Sequence, residues 1–332
     1  MKMTVLSDGG WGTAIAVHLC RNNHQTTLWG RFPDHVEKLN ETRRNEKFLK
    51  GARLPDSLVV TDDLSLAMTD AEVIVMATPT QYARETMTMM TEVGVGAGQI
   101  IVNVSKGIEL SSLKRLSEMC LEILGPVPYC VLSGPSHAEE VINEAPTAVT
   151  VASNPIEIAE TVQRAFISDY FRVYTSTDVV GVELGGALKN VFAIAAGICD
   201  GMELGDNAKA ALLTRGIAEM ARLGAKLGGR FETFSGLSGL GDVIVTCTSG
   251  HSRNRYVGES LGKGIKLDAV IKSMDMSVAE GVATTESAYR LARECGVATP
   301  IIDEIYASLY KDKDPRQAVG DLMRRGARSE VD

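Results

Sequence analysis

The chain has 332 residues, more than one hydrophobic core usually organises, so two domains are the expectation. Hydrophobic residues make up 45% and charged residues 23%, a globular balance that excludes a disordered or fibrous chain. The formal net charge is -8 with no block of consecutive basic residues, which excludes general attraction to nucleic acid or an anionic membrane; an anionic ligand must be held by local donors.

Met1 to Gly10 runs straight into a strand pattern and lacks the apolar stretch of a signal peptide. The longest apolar run after it, Val191 to Cys199, is half of the ~20 residues that span a bilayer, so no membrane insertion is expected. Cys20, Cys120, Cys130, Cys199, Cys247 and Cys295 lie far apart without metal-ligand spacing; they read as reduced thiols of a cytoplasmic protein without a metal.

Short apolar, β-branched runs bounded by turn residues predict strands at Met3–Leu6, Thr26–Trp29, Leu58–Val60, Val73–Ala77, Ile100–Val104, Tyr129–Leu132, Thr147–Val151 and Phe171–Tyr174. Helical spacing separates most of them, as in 12–21, 33–43 and 79–91. Alternation of this kind predicts an α/β fold, a doubly wound, Rossmann-type, mostly parallel sheet. After Ser176 strand patterns nearly vanish, which predicts a dinucleotide-binding domain over 1–177 and an all-α domain over 178–332.

The first strand ends in Ser7-Asp8-Gly9-Gly10-Trp11-Gly12, with a helix expected from near Thr13. This is a degenerate G-x-G-x-x-G, in which Gly9 and Gly12 are the second and third glycines and Ser7 replaces the first. Asp8 adds negative charge near the expected pyrophosphate. The second strand ends in Trp29-Gly30-Arg31, where an acidic residue would take a ribose hydroxyl; Arg31 can instead face a 2′-phosphate, so NADP or NAD is expected.

Further on, Val104 to Glu109 puts Lys106 directly after a strand, at the carboxyl edge where doubly wound folds bind ligands. Ser133-Gly134-Pro135-Ser136-His137-Ala138 ends the next strand at the same edge, with His137 expected to be structural. In Val182 to Ile198, a 100° step gathers Glu183, Gly186, Lys189, Asn190, Ala193 and Gly197 on one face. A lysine among small residues there can exchange a proton with an alcohol or carbonyl while hydride moves. The glycines of Gly236 to Gly241 suggest a ligand-approaching loop before Asp242, a candidate partner for Lys189; Ser252-Arg253-Asn254 clusters donors suited to phosphate.

Gly10 to Ala14, Asn45 to Leu49, Ser105 to Glu109, Ser133 to Ser136, Glu183 to Asn190, Gly239 to Asp242 and Ser252 to Asn254 together resemble the bacterial-type NAD(P)-dependent glycerol-3-phosphate dehydrogenases over nearly the whole chain. The resemblance implies reversible conversion of dihydroxyacetone phosphate to glycerol 3-phosphate, a phospholipid precursor, by a homodimer. It implies Lys189 as proton donor and acceptor, with Lys106, Asn190, Asp242 and Thr246 ordering the reacting oxygen. Gly134, Ser136, Ser252, Arg253 and Asn254 would hold the substrate. Gly10, Trp11, Arg31, Lys106, Ala138, Arg253, Val278 and Glu280 would touch the cofactor. The chain departs from the family at Ser7-Asp8 and at Lys50, where proline is common, both on the cofactor side. The alternatives are a related dehydrogenase of hydroxy or sugar acids, with Arg253 on a carboxylate, and a non-catalytic dinucleotide sensor.

Overall fold

The structure is a computed structural model that describes residues 1–274, 279–327 and 329–330. Its sheet contains β1 (Lys2–Leu6), β2 (Gln25–Trp29), β3 (Val59–Thr61), β4 (Val73–Met76), β5 (Ile100–Asn103), β6 (Tyr129–Ser133), β7 (Thr147–Ala152) and β8 (Phe171–Ser176). The order is β3-β2-β1-β4-β5-β6-β7-β8, and every pair is parallel except β6 with β7. Strands β4 and β5 read VIVM and IIVN and are buried throughout, as strands covered on both faces must be.

The strand order reverses beside β1, with β2 and β3 on one side and β4 onward on the other, which opens a crevice at the carboxyl ends. One core, with Val5, Ile15, Leu28 and Val75, fills one face of the sheet; another, with Leu6, Ile74, Met87 and Ile101, fills the other. Each expected strand is present to within a residue or two at either end.

Helices dominate after β8. The central one, Val179–Gly201, has Asp178 as its N-cap, accepting from the Gly181 amide at 2.9 Å. All its residues from Gly181 to Cys199 are buried, so its polar face packs as thoroughly as its apolar ones. By length and hydropathy this helix could span a membrane, but 89% of its apolar window is buried inside the protein. The helices Asp206–Lys226, Arg253–Gly262, Glu280–Glu294 and Pro300–Tyr310 pack around it, and Leu188, Phe192, Met220 and Ile302 belong to their shared core.

Two expectations change. The first helix starts at Gly10, not near Thr13, because the glycine loop turns directly into it and Thr13 N already donates to Gly9 O at 2.9 Å. The Gly236–Gly241 stretch is not an open loop: Leu237–Gly241 is a π-helical turn running into the helix Asp242–Thr248. That continuity holds Asp242 at a helix start.

Candidate active site

The crevice is built from the turns at the carboxyl ends of the strands. After β1, Ser7 turns the chain with φ 120°, and Gly12 packs so closely that a Cβ there would meet Ser7 O at 2.0 Å. Buried Asn45 clamps the turn: its Nδ2 donates to Asp8 O at 2.8 Å and to Thr13 Oγ1 at 2.7 Å. The glycine-loop amides therefore stand at a fixed helix N-terminus, a geometry suited to a pyrophosphate.

After β5 and β6, Lys106 and Gly134 meet, Lys106 Nζ donating to Gly134 O at 2.9 Å. Gly134 has φ 147°, and a Cβ there would come within 2.9 Å of Val149 Cα, so only glycine fits. From the other half of the chain, Asp242 reaches the same point. Its Oδ2 accepts from Lys106 Nζ at 2.6 Å and its Oδ1 lies 2.9 Å from Lys189 Nζ. Lys189 also donates to Thr246 Oγ1 at 2.7 Å, and Thr246 donates to Asp242 Oδ1 at 3.2 Å.

One buried carboxylate thus sits between two ammonium groups. Burial opposes its ionisation, but Lys106 and Lys189 outweigh that and hold Asp242 below the usual carboxylate range. Burial pushes Lys106 down to about 8, despite the opposing pull of Asp242. An ammonium has three donor hydrogens. Lys189 commits two, to Asp242 and Thr246; Lys106 commits two, to Asp242 and Gly134. One donor on each is left for a ligand oxygen.

A polar chain continues outward. Asn190 Nδ2 donates to Lys106 O at 3.2 Å, and Asn254 Nδ2 donates to Asn190 Oδ1 at 2.8 Å. Asn254 Oδ1 accepts from Gly281 N at 2.9 Å, and the next residue back, Glu280, accepts from Thr80 N at 3.0 Å. Ser252 caps the helix Arg253–Gly262, so Arg253 stands exposed in its first turn beside Asn254. Ser136 Oγ donates to Gly134 O at 2.9 Å, and Ala138 begins the following short helix.

The expected polar face of the central helix is only partly one face. Lys189 and Asn190 point into the site, but Glu183 turns toward Arg115, Ser117 and Tyr129, and Gly197 packs against the backbone of Arg255. Arg31 is not free: its guanidinium donates to Glu85 at 2.6 Å, and its side chain is 42% exposed. Asp8 does not face an open cleft either. Its carboxyl fills the space above Gly30, with Oδ2 3.7 Å from His35 Nε2, and burial raises its pKa. Val278 lies outside the described residues.

The crevice is suited to a dinucleotide by its orphaned donors and acceptors. Among the described residues, Trp11 Nε1, Ser133 Oγ and His137 Nε2 are buried polar atoms near strand carboxyl ends without a hydrogen-bond partner. Native interiors rarely leave such atoms unpaired without a reason. Thr80 and His35 are ordinary residues of helical segments in the sequence; only the fold carries them to this edge, where they meet Glu280 and Asp8. Asn45 was visible only as part of the motif Asn45 to Leu49.

Comparison with known proteins adds independent findings. The models of the N- and C-terminal parts of NAD-dependent glycerol-3-phosphate dehydrogenase match residues 2–159 and 178–320. Glycerol-3-phosphate dehydrogenase (NAD(P)+) from Prosthecochloris aestuarii is 50% identical over all of both chains. The same-named protein of Geobacillus kaustophilus is 50% identical over 100% of this chain and 96% of its own. A crystal structure of glycerol-3-phosphate dehydrogenase from Coxiella burnetii superposes with a TM-score of 0.94 at 37% identity, covering 98% of this chain and 99% of that one. A ketopantoate reductase from Ralstonia eutropha, at 12% identity and a TM-score of 0.62, shares the fold alone. With both halves matched and relatives at half identity over the whole of this chain, the chain belongs to the NAD-dependent glycerol-3-phosphate dehydrogenases.

Proposed function

We propose that Lys189 is the proton donor and acceptor as dihydroxyacetone phosphate and NAD(P)H are converted reversibly to sn-glycerol 3-phosphate and NAD(P)+. The observation that carries this is the buried Lys189–Asp242–Lys106 cluster at the meeting of the two halves. When bound, the nicotinamide supplies or accepts the hydride at the carbon bearing the reacting oxygen. In the reducing direction that oxygen takes the free proton of Lys189, while Asp242 and Thr246 fix the ammonium. Lys106 and Asn190 steady the same oxygen, and Asp242 prevents the two lysines from repelling each other.

Gly134, Ser136, Ser252, Arg253 and Asn254 are assigned to the substrate, Arg253 and Asn254 to its phosphate. The glycine loop (Gly9, Gly10, Trp11, Gly12), Ala138 and Glu280 are assigned to the cofactor, with Lys106 and Arg253 near both ligands. On this reading residues 1–177 hold the dinucleotide and 178–332 supply the proton chemistry, in a cytoplasmic homodimer whose state sedimentation would measure.

Lys189→Ala is expected to lower turnover roughly 10³-fold, the scale of a lost general acid, while NADH binding stays near the unmodified value. Retained turnover in the absorbance assay with dihydroxyacetone phosphate would remove Lys189 from this role. Arg31 is assigned to the 2′-phosphate of NADPH, which would draw the guanidinium away from Glu85, an exposed pair that costs little to break. Arg31→Ala should therefore raise KM for NADPH more than for NADH, and an unchanged ratio counts against the assignment.

A further inference from the structure

The two loops assigned to the substrate meet through a pair of histidines. His137 lies between Ser136 and Ala138, and His251 immediately precedes Ser252. Their ring centroids are 5.9 Å apart, the rings tilted by 55°. His251 is exposed; His137 is half-buried, and its Nε2 is enclosed without a hydrogen-bond partner. The charged groups acting on His137 are Lys189 on the central helix, Lys106 after β5 and Glu139 on its own helix; the Val245 backbone hydrogen-bonds its ring, which leaves Nε2 as the unpartnered nitrogen.

A buried ring nitrogen with nothing to bond is costly unless a ligand completes it. Its position beside Ser136, Ser252 and the nearby Arg253 selects the ligand, an anion with several oxygen acceptors. We infer that His137, aided by His251, is a further phosphate-binding residue, which takes up a proton as the dianionic end of the substrate enters. In the free protein, burial and then Lys189 hold His137 below its ordinary pKa, so it is neutral at pH 7. The arriving dianion adds to the negative charge of Glu139 and offsets the two lysines. A proton from solvent then occupies Nε2, and Nε2–H donates to a phosphate oxygen. Binding and protonation are linked, so affinity falls as pH rises above neutrality. This rests on the phosphate reading of Ser252 to Asn254.

The test uses the full-length enzyme saturated with NADH, titrated calorimetrically with glycerol 3-phosphate, with which NADH does not react. Buffers of different ionisation enthalpy give the protons taken up per ligand bound. Near pH 7.5 glycerol 3-phosphate is itself almost wholly dianionic, since such phosphates have a second pKa of about 6. The unmodified enzyme is expected to take up a substantial fraction of a proton, and its Kd to rise between pH 6.5 and 8.5. His137→Gln should abolish most of the uptake, flatten that pH profile and raise Kd at pH 6.5 roughly tenfold, with the kinetic loss in KM and not kcat. His137→Asn serves as a second variant if the first does not fold. No uptake by the unmodified enzyme, or the same uptake and profile after His137→Gln, overturns the inference. Arg253→Ala separates the two readings: unchanged binding in that variant overturns the phosphate assignment itself, whereas weakened binding there with an unaltered His137→Gln overturns only the role of His137.

Discussion

Ser7 holds φ 120°, a conformation that side chains bearing a Cβ rarely adopt, at the place where the dinucleotide motif has its first glycine. Its hydroxyl accepts only a long bond from Gly9 N, at 3.3 Å. Strain of this kind costs about 1–3 kcal/mol, and glycine costs about 0.5–1 kcal/mol in unfolded-state entropy, so the first effect wins. Ser7→Gly is expected to stabilise the protein by roughly 1 kcal/mol, read as a higher midpoint in urea. A lower midpoint would mean that the bond to Gly9 contributes more than the strain. The same departure from the motif was legible in the sequence, but its meaning was not. Asp8 read as a charge facing the pyrophosphate, whereas its side chain occupies the space that a side chain at Gly30 would fill and faces His35. Where a loop side chain turns depends on the neighbour across the strand, which local sequence does not name.

The central helix shows what spacing along one element can and cannot say. Its periodicity put Lys189 and Asn190 on a shared face, and both do enter the site. Glu183 was grouped with them by the same 100° step, yet it leaves the site altogether. Its Oε1 accepts from Ser117 N at 2.8 Å and Tyr129 Oη at 2.6 Å, and its Oε2 from Arg115 at 2.8 Å and Ser117 Oγ at 2.6 Å. Four donors on one buried carboxylate tie the helix to β6 and to the start of the helix Leu116–Leu124. Removing it leaves the Tyr129 hydroxyl and the Ser117 amide without this acceptor, whereas Arg115 keeps Glu118 at 3.1 Å. Glu183→Ala should therefore destabilise the fold by about 2 kcal/mol, the cost of leaving buried donors unsatisfied, and Glu183→Gln by less. Equal stability of Glu183→Ala and the unmodified protein in urea would show that the network is dispensable.

Across the whole molecule, the strands were readable because burial on both faces leaves continuous apolar runs, whereas the site depends on partners far apart in sequence. Lys106 and Asp242, or Thr80 and Glu280, are joined only by the packing of one half on the other. Long-range packing also buries ionisable groups whose protons are linked to stability. Glu219 bridges the helices Asp206–Lys226 and Pro300–Tyr310 by accepting from the Ile301 and Ile302 amides at 3.0 and 2.9 Å, yet burial pushes its carboxyl up to about 7. Between its ordinary value of 4.5 and that folded value, the native chain keeps a proton that the unfolded chain has released. Its contribution is thus fully present below about 4.5 and lost as pH rises through 7. His18 acts in the opposite sense. Burial lowers it to about 4 from 6.5, although it bonds Tyr170 Oη at 2.8 Å and Phe166 O at 2.7 Å, so its contribution is present above 6.5 and lost as pH falls through 4. Glu219→Gln removes one of these opposing slopes. Any fixed loss from the poorer acceptor is the same at every pH, so the comparison between two pH values isolates the titration. Relative to the unmodified protein, Glu219→Gln should gain roughly 2.5 kcal/mol between pH 5 and pH 8. Urea midpoints measured across that range decide it, and parallel curves for the two proteins would mean that Glu219 ionises in the fold as it does in water.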